Sequence, residues 1–308
     1  MTRLSRTAGA GFKPTLPVAL GLGACAALLG SPAAARGRAV SRGGPPVAAL
    51  PDSTTPNAWA AARAPGGRSA GTPSKGFVVL EGIHESLTHG YDDQSGVRVR
   101  GVVAVDPRNT VSAELSNLRE FGKSGSLLSV GDTFTINEDW YGSVSAAVGS
   151  NAFYLPKLRA DAFLSRKWGP RRNLVTSVGL GYFRARDDHK DTSVALESIY
   201  YFKSPFVAQA GVRWNRSSPG SITSRSQFIA LTQGREREHY VTLRYGFGRE
   251  AYQVIGAKTA ISDFSSTNLS LNWRQWVAPK WGFTLFLERY SNPTYRRTGG
   301  SIGVFTDL

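Results

Sequence analysis

Residues 173–186 read NLVTSVGLGYFRAR. Leu174, Thr176, Val178, Leu180 and Tyr182 occupy one set of alternate positions, and Asn173, Val175, Ser177, Gly179 and Gly181 the other. One face is oily and ends in an aromatic; the other is small and mostly polar. A period of two belongs to a β-strand, whose successive side chains point to opposite faces. The same rhythm runs from about Gly76 to the C-terminus in segments of roughly ten to fourteen residues, separated by turn residues such as DPRN, GPRRN and SNPT. No stretch of useful length has helical periodicity. The constraint is therefore an all-β domain, and the open question is which solvent its oily face meets.

The oily rows repeat along the chain. They include Val97, Val99, Val103 and Val105; Val144, Ala146 and Val148; Leu158, Ala160, Ala162 and Leu164; Val194, Leu196, Tyr200 and Phe202; Val241, Leu243, Tyr245 and Phe247; and Ile302 and Val304. Trp, Tyr and Phe gather at strand ends. The opposite faces carry mid-strand charges at Arg98, Arg100, Glu114, Arg159, Asp161, Glu197, Arg213, Arg244, Arg274, Glu288 and Arg297. A β-sandwich packs its oily faces together and turns its charges to water. A membrane barrel reverses this, with oil outward, charge inward and aromatic girdles at both rims. Strands of this length suit a tilted bilayer crossing, and a closed barrel leaves no edge for hydrocarbon to desolvate. The expected fold is an antiparallel up-and-down transmembrane β-barrel over residues 76–308, with a secreted sandwich as the runner-up.

Counting back from Leu308 gives fourteen strands: about 76–88, 95–105, 109–121, 125–136, 140–150, 156–168, 173–186, 192–203, 206–216, 222–233, 238–248, 266–276, 281–291 and 296–308. Such a barrel ends on the periplasmic side, which places DPRN, NED, GPRRN and KSP there. It places GYDDQSG, SNAFYLP, RDDHKD and the stretch from Gly248 to Ser266 outside. Three places read poorly. Asp132 falls among Leu128, Val130 and Phe134, strand 222–233 has a weak oily row, and the 249–265 loop is long enough to hide two more strand segments, so counts of twelve or sixteen stay open.

The N-terminus supports export. Arg3, Arg6 and Lys13 precede the uncharged run Leu16–Gly30, and Ser31-Pro32-Ala33-Ala34-Ala35 supplies small residues before Arg36. That is the layout of a secretory signal peptide over residues 1–35, and the run is shorter than the roughly 20 residues of a spanning helix. Leu22-Gly23-Ala24-Cys25 also resembles a lipobox, although apolar residues continue past the cysteine. Residues 36–75 are rich in Ala, Gly, Pro, Ser and Arg without periodicity, and read as a disordered basic linker. The net charge of +15 suits anionic partners. With an export signal, outer-membrane lipid, lipopolysaccharide and the barrel-insertion machinery are the expected partners, together with an anionic solute or polysaccharide, and nucleic acid is not.

Three stretches carry a family resemblance. Gly90-Tyr91-Asp92-Asp93, Gly149-Ser150-Asn151-Ala152-Phe153 and the ending WGFTLFLERYSNPTYRRTGGSIGVF resemble the YaiO-type outer-membrane β-barrel family over roughly residues 77–308. The resemblance implies an outer-membrane location and supplies no catalytic residues. The chain departs from outer-membrane barrels that end in an aromatic: its last residue is Leu308, with Phe305 three earlier.

Candidate chemistry is sparse. His84 and Ser86 share a strand face, as a base and a nucleophile would. The arrangement is similar to the His-x-Ser of outer-membrane lipid A deacylases, but no acid partner is identifiable. Against it stands the plainer reading of polar residues near a rim. His84, His89, His189 and His239 lack metal-ligand spacing, so neither a metal nor a cofactor is expected. Asp92-Asp93 and Asp187-Asp188 fall in far loops, as solvated carboxylates or a divalent-cation site. The inward charges are the better clue. They read either as an ion-paired filling or as an anion-preferring pore lining, since rings of Arg select anions. The expectation is a non-enzymatic channel or conduit for small anionic solutes or surface polysaccharide. A structural or surface-interaction barrel with a filled lumen is the alternative, and a lipid A hydrolase the third reading.

Overall fold

The computed structural model describes residues 75–308 except 187–188 and 257–258, and the side chains of 254–259 are not described. The expected signal peptide, lipobox cysteine and linker up to residue 74 lie outside the described residues. Fourteen strands follow in order: β1 Gly76–Leu87, β2 Gln94–Ala104, β3 Asn109–Glu120, β4 Lys123–Thr135, β5 Trp140–Gly149, β6 Leu158–Trp168 and β7 Leu174–Arg184. The second half is β8 Lys190–Tyr201, β9 Phe206–Ser218, β10 Ile222–Arg235, β11 His239–Gly256, β12 Thr259–Ala278, β13 Trp281–Ser291 and β14 Arg296–Asp307. Each strand pairs antiparallel with its neighbours in sequence, and β1 pairs with β14, which closes the barrel.

The oily rows face out. Leu180 is 62% exposed, Ile302 66% and Ile229 57%, while Glu288 is 5% exposed and Asp161 7%. A soluble fold buries the first group and exposes the second. The inversion answers the question raised by residues 173–186: their oily face meets lipid. Exposed aromatics ring both ends, with Trp168, Tyr200, Phe202, Phe206 and Trp281 near the terminal end, where Gly76 and Leu308 lie, and Tyr182, Trp214, Tyr245 and Phe247 toward the far end. Gly179 sits inward under the Phe163 ring, whose Cε1 lies 2.3 Å from where a β-carbon would stand. The glycine relieves crowding in the lumen.

Side chains close the turns. Asp106 accepts from the backbone N–H of Arg108 and Asn109 at 2.7 and 2.8 Å. A bond from the Asn109 side chain, then these two, holds its carboxyl below the ordinary carboxylate range. Asn137 caps the next terminal-end turn in the same way. At the far end Phe121 and Gly122 both have positive φ, 48° and 73°, so β3 and β4 join through a two-residue turn matched to strand twist.

One sequence reading is corrected and one awkward placement is explained. The 249–265 stretch is not a loop and adds no strand; it lengthens β11 and β12 to 18 and 20 residues. Its polar alternation, Ser, Thr and Asp included, lacks an oily row because the hairpin stands beyond the lipid. Asp132 does lie on the outward face, opposite Val111 and Val144. It sits three residues from the end of β4, toward the rim where a carboxylate costs less than at mid-membrane.

Candidate functional site

All eleven charged residues singled out above are buried or half-buried rather than exposed. Strand alternation puts each on the face opposite the oily row, and closure turns that face into a lumen. Register then sorts them into groups. Toward the far end, Arg297 meets Glu288 and Glu85, its Nε lying 3.2 Å from Glu288 Oε1 and 3.4 Å from Glu85 Oε2. Near mid-height Arg98 lies 3.6 Å from Glu81 and 3.4 Å from Glu114. On the opposite wall Asp161 stands between Arg159, 2.9 Å away, and Arg213, 3.7 Å away. Arg244 lies over the Phe228 ring at 4.3 Å.

Arg274 is set apart from this lining. It is 4% exposed and boxed by Phe305, Phe77 and Trp276 at 3.7, 4.4 and 4.5 Å, with Asp307 accepting from it at 2.9 Å. It is a packed fastening at the terminal end. Arg100 stands beside it, 6.0 Å from the Phe77 ring.

The far half of the lumen holds a chamber of about 260 Å³. Arg159, Asp161, Arg213, Glu197 and Arg244 form its wall, with Phe228, Asn215 and Asn268. Part of its rim comes from the lengthened β11–β12 hairpin through Arg249, Glu250, Tyr252 and Gln253. That hairpin leans inward. Tyr252 stacks on His189, in the β7–β8 connection, at 4.6 Å, although β9 and β10 lie between β8 and β11 in the wall. His189 in turn lies 3.0 Å from Asp191. On the other side Gln253 donates to the Tyr295 hydroxyl at 2.6 Å, Asn292 donates to Gln253 at 2.7 Å, and Tyr290 donates to Glu250 at 2.8 Å. Polar bonds thus tie the hairpin to the β13–β14 turn. Burial pushes the pKa of the Tyr295 hydroxyl above the ordinary phenol range, so it stays protonated as a donor or acceptor.

The remaining sector of the mouth is apolar. Tyr295, Tyr91, Phe121, Phe153 and Tyr154 form a chain of ring contacts at 5.6 to 6.3 Å. All three stretches that carried the family resemblance contribute to it, the C-terminal one through Tyr295. In Gly90-Tyr91-Asp92-Asp93 the glycine has φ 79°, Tyr91 supplies a ring, and Asp93 accepts from the Leu87 N–H at 3.3 Å. In Gly149-Ser150-Asn151-Ala152-Phe153 the glycine makes room for the returning loop, since a β-carbon there would stand 2.5 Å from Leu155 Cβ. Ser150 accepts from the Ser126 N–H at 2.9 Å, and fully buried Tyr154 donates to the Leu118 carbonyl at 2.6 Å.

His84 and Ser86 do share the outward face at the far rim, and the structure supplies the acid that sequence reading lacked. Asp93 Oδ2 lies 3.8 Å from His84 Nε2 and accepts from Ser86 Oγ at 3.3 Å. The Ser86 hydroxyl is thus turned to the acid, whereas a base-activated nucleophile bonds to the histidine. Among the described residues no cluster of three or more His, Cys, Asp or Glu is arranged to hold a metal ion. Asp187 and Asp188 lie outside the described residues. Glu81, Glu85, Glu120 and Asp307 were missed by sequence reading, although parity alone places Glu81 and Glu85 on the inner face of β1, opposite Leu80 and Gly82.

A sequence profile described as the YaiO membrane beta barrel domain matches residues 78–253. The match ends within β11, so the tyrosine-rich β13–β14 segment lies beyond it. No match was found among curated protein sequences. Among solved structures, the CymD monoaromatic hydrocarbon channel is 7% identical, with a TM-score of 0.53 over 77% of this chain and 89% of that one. A bacterial polysaccharide outer membrane secretin is 10% identical, with a TM-score of 0.50 over 77% of this chain and 99% of that one. At these identities the likeness is one of fold.

Proposed function

The chain belongs to the YaiO family of outer-membrane β-barrels, and on that footing we propose that it is a non-enzymatic conduit for small anionic solutes or the acidic units of a surface polysaccharide. The end that holds Gly76 and Leu308 faces the periplasm and the far mouth faces outward. The single observation that carries the reading is the chamber of about 260 Å³ in the far half of the lumen, walled by Arg159, Arg213 and Arg244. Guanidinium groups are always charged and present forked donors that match carboxylates and phosphates. Asp161 holds Arg159 and Arg213 in place, and with Glu197 in the same wall moderates the field, so an anion meets preorganised donors without a trap too deep to leave.

The test is single-channel recording of the full-length protein in planar bilayers. Discrete steps that favour anions are expected, and an Arg159→Gln, Arg213→Gln, Arg244→Gln triple variant should bring the anion-to-cation permeability ratio toward unity. Unchanged selectivity in that variant rejects this lining.

A second reading, a barrel with a filled lumen that acts through its surface, is favoured by the aromatic chain from Tyr295 to Tyr154 and by the buried Arg297 group. A folded, heat-modifiable barrel that leaves the bilayer electrically silent would decide for it.

A further inference from the structure

The outward face of the barrel carries a second arginine-rich feature, unrelated to the lumen. Arg184 on β7, Lys190 on β8, Arg216 on β9 and Arg225 on β10 are all exposed at the far ends of consecutive strands. Arg184 and Lys190 are directly opposed in the ladder. Like charges in that relation destabilise a sheet unless something neutralises them. Lys190 is opposite Ser218, one strand-pair step of two residues from Arg216; Arg225 is opposite Trp214, the same step further on. From the spacings of strands and of alternate residues, each diagonal step is roughly 8 Å. Among the described residues none of the four forms an ion pair.

The neighbouring sector differs. There Arg249 on β11 is matched by Asp263 on β12 at 2.7 Å. Immediately below the basic arc, on the same strands, Tyr182 and Trp214 face outward, 36% and 43% exposed. Tyrosine and tryptophan settle at the boundary between hydrocarbon and headgroups. Long basic side chains above them reach the headgroup layer with their stems along the apolar surface. The four cations are thus held at headgroup height, on paired strands, with no ion-paired acid among the described residues.

We propose that this β7–β10 arc binds the phosphate groups of a phosphorylated glycolipid in the outer leaflet. The charge supplies the attraction, the guanidinium forks match phosphate oxygens, and the Tyr182–Trp214 belt seats the acyl-chain boundary. The proposal uses the outward orientation of the far mouth given above and is independent of whether the lumen conducts.

The experiment compares full-length protein with an Arg184→Gln, Lys190→Gln, Arg216→Gln triple variant. Both are purified from outer membranes in mild detergent, with folding checked by heat-modifiable migration. Phosphorylated glycolipid retained per barrel is measured by mass spectrometry, and thermal protection is measured on adding bisphosphorylated lipid A, its dephosphorylated form, or inorganic phosphate. Retention should fall by about a hundredfold in the triple variant, given about 1 kcal/mol for each of the three basic residues at an anionic surface. Protection should require the bisphosphorylated lipid, and Arg184→Lys with Arg216→Lys should retain most of it. A control with Arg289→Gln and Arg296→Gln, on the opposite arc, should behave as wild type. Equal retention by the triple variant, equal protection by dephosphorylated lipid or free phosphate, or an equal loss in the control overturns the proposal. Orientation is read separately: Thr294→Cys should react with a membrane-impermeant maleimide on intact cells, and failure to react also overturns it.

Discussion

Arg297 serves two buried acids at once. It is 6% exposed, lies within ion-pair distance of Glu288 and Glu85, and donates to Gln94 at 3.5 Å. Removing one partner of a buried pair leaves the other charge desolvated and unmatched, at a cost of about 3–5 kcal/mol. Arg297→Gln should therefore destabilise the barrel by that order, read as a lower urea midpoint for unfolding from lipid, and Arg297→Lys should recover only part, because an ammonium lacks the fork that spans two carboxylates. A midpoint unchanged in both variants would mean that the two acids are neutral or solvated. The same logic explains why the lumen charges occur as groups. Inside a barrel, polar side chains escape the lipid but still crowd one another, and each arginine is held by an acid or an aromatic face.

The element on which the far mouth depends is the connection between β5 and β6. Residues 150–157 turn back into the barrel and bury Tyr154 and Leu155 completely. Two glycines on the adjoining strands allow the approach. A β-carbon on Gly149 would meet Leu155 Cβ at 2.5 Å, and one on Gly125 would meet Ala152 Cβ at 2.6 Å. Gly149→Val should cost about 1–3 kcal/mol through overpacking and drive the loop outward, where limited proteolysis of intact cells would cut within residues 150–157 while sparing wild type. Resistance equal to wild type would show that the loop tolerates the added methyls. The β11–β12 hairpin performs the complementary task over the chamber, tied at Tyr252 on one side and Gln253 on the other.

The whole molecule is closed by one seam, where β1 meets β14. Eleven register pairs join the strands, from Phe77↔Asp307 to Leu87↔Arg297. The seam is fastened at its terminal end by side chains from β12. Arg274 and the Trp276 indole both donate to Asp307, at 2.9 and 2.8 Å, and the Leu308 N–H donates to the Gly76 carbonyl at 2.9 Å. Phe305 is 1% exposed against the Arg274 guanidinium, so the aromatic near the C-terminus packs inward rather than joining the girdle. Asp307→Ala leaves Arg274 buried without its acid and should cost about 3 kcal/mol. The expected signature is a lower temperature of heat modification, with amide exchange rising first in β1 and β14. Uniform loss of protection around the barrel would refute a seam-first opening.

Read by itself, the sequence favoured fourteen strands, with twelve and sixteen left open, and placed most of their ends and the face of each that meets lipid. Alternation is a local property: two neighbours decide which way a side chain points. It also placed the inner arginines on their face, and the Gly149–Phe153 motif at a loop. It failed at 249–265, where β11 and β12 outgrow the bilayer and no oily row marks the strand. It was silent on which charges meet. Glu81 bonds Thr284 and Arg297 reaches Gln94 across strands that only closure brings together, and Gln253 reaches Tyr295 through the inward lean of its hairpin. Strand register, the inward lean of loops and the meeting of β1 with β14 depend on shear and packing summed around the ring. For that reason the chamber, its rim and the acid beside His84 and Ser86 exist only in the tertiary structure.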